Sequence, residues 1–159
     1  MKQKILVVLM SASMALAGSA MAGTHAHDHG HGAKVPAMQL NAGKKWETDL
    51  PLRESMGRIR AALAGALPDI HHDRLGQAAY SQLAQQIEKE VGNIVSNCKL
   101  TPKADEQLHL VLSDVLAGSA QMASPPAGKS SREGAWRVIG GLDNYARYFA
   151  DPGFRPLKH

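Results

Sequence analysis

"WETDLPLRESMGRIRAALAGAL", residues 46–67, is the stretch where this chain begins to be able to bury a core. Leu52, Met56, Ile59, Leu63 and Leu67 recur in it at spacings of three and four, the repeat of one face of an α-helix. Thr48 or Asp49 can cap its start, because a short oxygen-bearing side chain accepts from the backbone N–H groups that the first turn leaves free. Pro51 is tolerated in that first turn, where its missing N–H has no helical partner in any case. "LPDIHHD", residues 67–73, is expected to interrupt the helix.

Toward higher numbers the same period returns three times. A longer helix is expected from about Asp73 to Asn97, with Tyr80, Leu83, Ile87, Val91, Ile94 and Cys98 on one face. "NCKLTPKAD" breaks it, and Thr101-Pro102 supplies a cap followed by a proline at the first helical position. The third helix carries Leu108, Val111, Leu112, Val115, Leu116 and Met122, and ends at "SPPAGKSS", whose two prolines and glycine cannot continue it. Ser130-x-x-Glu133 has the form of a capping box and opens a fourth helix that points Trp136, Ile139, Leu142, Ala146 and Phe149 inward, before "DPGFRP" stops it. No alternating strand pattern competes in this body. Four amphipathic helices on short connections predict an all-α antiparallel four-helix bundle over residues 46–155. Four of the seven aromatic residues lie on the last helix, where core filling accounts for them.

Toward lower numbers the character changes. Residues 23–45 hold Gly, His, Ala and Lys with few apolar groups, so they cannot bury enough surface to offset the entropy of ordering and read as a flexible tail. Residues 1–22 have the layout of a secretory signal: "MKQK" is a basic start, "ILVVLMSASMALAG" an apolar run, and "SAMA" places small residues at Ala20 and Ala22. The run is diluted with Ser, Ala and Gly and fits a membrane-spanning helix less well. No cysteine stands there for lipid attachment. Cleavage after Ala22, export to the periplasm and no lasting membrane insertion are the expectations. Loss of Lys2 and Lys4 lowers the formal charge from +4 to +2, and the remaining charges are mixed in sign along the chain, so the basic balance argues for no nucleic-acid partner. One cysteine, Cys98, allows no internal disulfide, and stability has to come from packing.

The tail carries the most specific chemistry. "GTHAHDHGHGAK", residues 23–34, sets His25, His27, His29 and His31 at every second position, with Asp28 among them. Residues two apart in an extended chain point to the same side, about 7 Å from each other. The intervening glycines let two or three imidazoles close on one ion. Neutral imidazole takes Cu(II), Zn(II) or Ni(II), and a carboxylate assists. If the signal is cut after Ala22, the new terminus is Gly23-Thr24-His25. Its amine, two backbone amides and a third-position imidazole make a square-planar set of four nitrogens that suits copper and nickel. Cutting one residue either way abolishes that set. The expected ligands are therefore Gly23, Thr24, His25, His27, Asp28, His29 and His31, and the expected ion is copper, with zinc and nickel as alternatives.

Inside the body, Met56, His71, His72, Cys98, His109 and Met122 are the other candidate ligands. His109 lies about 12 Å along its helix from Thr101, so a direct pair with Cys98 is not expected. Cys98 reads as a small buried thiol. His71 and His72 sit at a helix junction, where capping or solvent contact is the ordinary role, with a small metal site as the alternative.

Two resemblances attach to these residues. "TDLPLRESMGRI" resembles the opening of the periplasmic b-type cytochromes, four-helix bundles that bind haem iron through a first-helix methionine and a last-helix histidine. The resemblance implies Met56 as a ligand. However, "SSREGAWRVIGGLDNYARYFAD" has no histidine, and no C-x-x-C-H motif occurs, so haem is not expected. "LNAGKKWETDLPLRESMGRIR", "IVSNCKLTPKADEQLHLVL" and "LDNYARYF" are similar to an exported bacterial family labelled DnrO, over roughly residues 40 to 150. That likeness implies a bundle and export, and carries no catalytic residue. The leading expectation is capture and release of divalent metal by the tail. A haem or redox module using Met56, and a cofactor-free interaction or stress-response bundle, are the alternatives. No Ser-His-Asp set, phosphate loop or paired inward carboxylates is legible, so an enzyme is not expected.

Overall fold

The structure is a computed structural model that describes residues 37–159. Its elements follow in the order β1 (Trp46–Glu47), α1 (Leu50–His71), α2 (Gln77–Asn97), α3 (Pro102–Ala123), α4 (Ser131–Tyr148) and β2 (Phe149–Ala150). The chain is mainly helical, with four helices sharing one core and very little strand. The expected signal peptide and most of the expected tail lie outside the described residues. Among the described residues no helix is long and apolar enough to cross a membrane.

The helix starts sit where capping chemistry puts them. Asp49 accepts from the Leu52 N–H at 3.0 Å, and its second oxygen accepts from the Lys99 N–H at 2.5 Å, so one carboxylate both caps α1 and ties it to the α2–α3 link. Thr101 caps α3 ahead of Pro102. Ser130 and Glu133 form the reciprocal box that opens α4, with the Glu133 N–H donating to the Ser130 hydroxyl and the Ser130 N–H to the Glu133 carboxylate.

The junction after α1 departs from expectation. The helix runs through Pro68 to His71, because Ile70 is fully buried and the Arg132 guanidinium donates to the Ile70 and His71 carbonyls at 2.9 and 3.0 Å. Those are the orphan acceptors of a helix C-terminus, and a cation there is favourable. α2 in turn starts at Gln77 instead of Asp73, since Asp73 takes a φ of +53°, a left-handed conformation that ends any helix through it.

Most of the expected core is buried: Leu52, Met56, Ile59 and Leu63 on α1, Tyr80, Ile87, Val91 and Ile94 on α2, Leu108, Val111, Leu112, Val115 and Met122 on α3, and Ile139 and Leu142 on α4. Other expected positions shift: Leu67, Leu83, Cys98, Trp136 and Ala146 are half-buried against the core. Ala84 is fully buried in the inner place expected of Leu83, and the Ser119 hydroxyl donates to its carbonyl at 3.1 Å. Tyr145 is buried where Trp136 and Ala146 were expected, and Leu116 is exposed. α3 and α4 touch backbone to backbone. A Cβ at Gly118 would lie 2.6 Å from the Gly134 carbonyl oxygen, and one at Gly134 would lie 2.7 Å from that of Gly118.

The body extends further at both ends than composition indicated. Within the stretch expected as tail, the Gln39 N–H donates to Gln107, the Trp46 indole donates to the Gln39 carbonyl at 2.6 Å, and Asn41 and Lys44 close a tight turn. Trp46–Glu47 then pairs in parallel with Phe149–Ala150. Two residues per strand are too few to leave an alternating signal, so the expectation of no strand is corrected by this pair. Beyond residue 155 Leu157 is still buried, as is Phe154 before it.

Candidate functional site

The expected metal ligands Gly23, Thr24, His25, His27, Asp28, His29 and His31 lie outside the described residues. The candidates of the body divide by burial. Met56 and Met122 are completely enclosed among apolar side chains, whereas His71, His72 and His109 are exposed. Among the described residues no group of three or more His, Cys, Asp or Glu is gathered in a way that could hold a metal ion. The Met56 sulfur is sealed in the core, and the four histidines among the described residues are at the surface.

Cys98 and His109 share one surface feature. Both line an open groove of about 780 Å³ between α2 and α3, whose walls also include Val95, Asp105, Leu112 and Leu116. The extended backbone after the last turn of α2 carries Cys98 back over the start of α3. The His109 ring is engaged locally: Nδ1 lies 2.8 Å from the Asp105 carbonyl and 3.4 Å from its carboxylate. Cys98 is half-buried. Burial first, then the charge and hydrogen bond of Asp49 and the charge of Asp105, push its thiol up to about 12. A thiol so held stays protonated, and the thiolate is the form that attacks electrophiles and binds metals.

A second cluster gathers around Trp136. The His71 ring stands edge-on to the indole at 4.9 Å, and His159 lies 5.7 Å from it on a tilted plane. His159 also approaches Asp143 at 3.6 Å. Helix periodicity gives no signal for His159, because the segment that places it is irregular and is anchored by Phe154 and Leu157.

Of the aromatic residues on α4, Tyr145 stacks on Phe149 at 5.4 Å, meets Phe154 edge-on at 5.0 Å, and donates its hydroxyl to Asp151 at 2.9 Å. Burial, followed by the hydrogen bond and charge of Asp151, raises its phenol well above the ordinary range. These contacts are those of a core with one satisfied polar tip. No family model, curated protein or solved structure matches this chain.

Proposed function

We propose that this chain is an exported periplasmic protein that captures and releases a divalent metal, copper foremost, through the leader at Gly23, Thr24, His25, His27, Asp28, His29 and His31. The observation that carries the reading is the run of four imidazoles at alternate positions beside a Gly-Thr-His set that cleavage after Ala22 would expose. The body is read as an antiparallel four-helix bundle that carries the leader. Supporting this, Gly118 meets Gly134 while Gly141 meets Val115, so numbers rise along α4 as they fall along α3. The likeness of residues 40 to 150 to the exported DnrO-like family belongs to the same proposal. Binding without turnover is the activity.

Affinity falls as the solution is acidified, because imidazoles must be neutral and backbone amides must lose protons to bind copper. Intact-mass measurement on the exported protein, with and without added Cu(II), tests the reading. The expected species begins at Gly23 and carries one copper ion at neutral pH but none at mildly acidic pH. A metal-free mass at neutral pH with copper supplied contradicts it.

A further inference from the structure

Away from the groove, the first turns of α1 and the segment after β2 enclose an open cleft of about 780 Å³, a size that accommodates a small-molecule ligand. Arg53, Gly57 and Arg60 share one face of α1 at spacings of four and three, and Arg155 comes to the same cleft from the segment after β2. Each guanidinium is held by backbone. Arg53 donates to the Thr48 carbonyl at 2.8 Å, Arg60 to the Arg155 carbonyl, and Arg155 to the Pro152 and Phe154 carbonyls at 2.7 and 3.0 Å. None of the three is paired with a carboxylate among the described residues.

Two acids, Glu54 and Asp151, line the same cleft. The Asp151 carboxylate accepts from the Tyr145 hydroxyl and from the Gly153 N–H, while Glu54 faces Arg58 at 3.8 Å. The cleft thus gathers three fixed cations with N–H groups to spare, since a guanidinium has five and these bonds use only one or two. Gly57 forms part of the wall, and a Cβ built there meets nothing within 4 Å.

We propose that this cleft binds a multiply charged oxyanion of the phosphate class, free in solution. The three cations outnumber the two acids of the lining and leave the recess net positive, and the planar guanidinium fork matches phosphate oxygens in pairs. The three arginines arrive pre-positioned by their carbonyl contacts, which lowers the ordering cost of binding. The site is independent of the metal-binding leader.

Calorimetry with inorganic pyrophosphate tests it, on the metal-free full chain at pH 8 and fixed ionic strength. One-to-one saturable uptake is expected, about tenfold weaker in Arg60→Gln. Gly57→Leu, which keeps every charge and improves helix propensity while filling the recess, is expected to abolish uptake with its helix content unchanged. No uptake by the parent protein overturns the site. Equal uptake by Gly57→Leu also overturns it, because diffuse ionic attraction would then explain the binding. Co-sedimentation with vesicles of equal parts phosphatidylglycerol and phosphatidylcholine, lost in Gly57→Leu and unaccompanied by pyrophosphate uptake, overturns the soluble source.

Discussion

Two buried tyrosines show how partner geometry decides the worth of one hydroxyl. Tyr145 donates to Asp151, whereas the Tyr80 hydroxyl is buried with no partner among the described residues. Removing one member of a hydrogen-bonded pair leaves the other unsatisfied, while removing an unpaired group removes only a desolvation cost. Tyr145→Phe is therefore expected to lower unfolding stability by about 1–2 kcal/mol, and Tyr80→Phe to leave it unchanged or raise it, both read from urea unfolding. The reverse order would contradict the assigned contacts. Cys98 gives a pH prediction. Its thiol is raised from near 9 to about 12, so the fold holds a proton that the unfolded chain gives up earlier. The resulting stabilisation is present below about pH 9 and is lost as pH rises from there through the raised value. Iodoacetamide at pH 8 should label Cys98 far more slowly in the native protein than in urea, and equal rates would show an ordinary thiol. Sequence spacing placed Cys98 on an inward face. The Asp49 and Asp105 charges that hold its proton come from other elements and leave no local trace.

At the scale of elements, the starts of α1, α3 and α4 were readable because caps are local, whereas α2, which has no side-chain cap, starts four residues later than expected. Asp49, Thr101-Pro102 and Ser130-x-x-Glu133 each act within three or four residues. Helix ends were less readable where tertiary contacts decide, as at Pro68, where Arg132 from α4 satisfies the last carbonyls of α1. The closest helix pair was also hidden. Glycine reads as a weak helix former, yet Gly118 and Gly134 are what lets α3 and α4 meet backbone to backbone. Gly118→Ala is expected to cost about 1–3 kcal/mol by forcing the two helices apart. Gly92→Ala, on an exposed position of α2 with open space around it, is expected to stabilise by about 0.5–1 kcal/mol. Thermal melts of the two variants check the contrast, and a neutral Gly118→Ala would mean that the helices do not approach so closely.

For the whole molecule, the four-helix content was legible because each helix repeats its apolar face over several turns, a signal that one misplaced residue does not erase. The sealing segments were not, since Trp46, Phe154 and Leu157 act through single anchors in irregular chain. The proposed metal chemistry rests on the sequence alone, because it needs no fold, only imidazoles close together in sequence. The proposal separates a packed body from a leader proposed to bind the metal, and that separation can be measured. Titrate Cu(II) at neutral pH into the chain beginning at Gly23, and into the same chain lacking residues 23–33, by calorimetry. The account predicts stoichiometric uptake by the first and its loss in the second, with both unfolding at the same temperature when metal-free. Equal uptake by the two would contradict it and move the copper to the helical body.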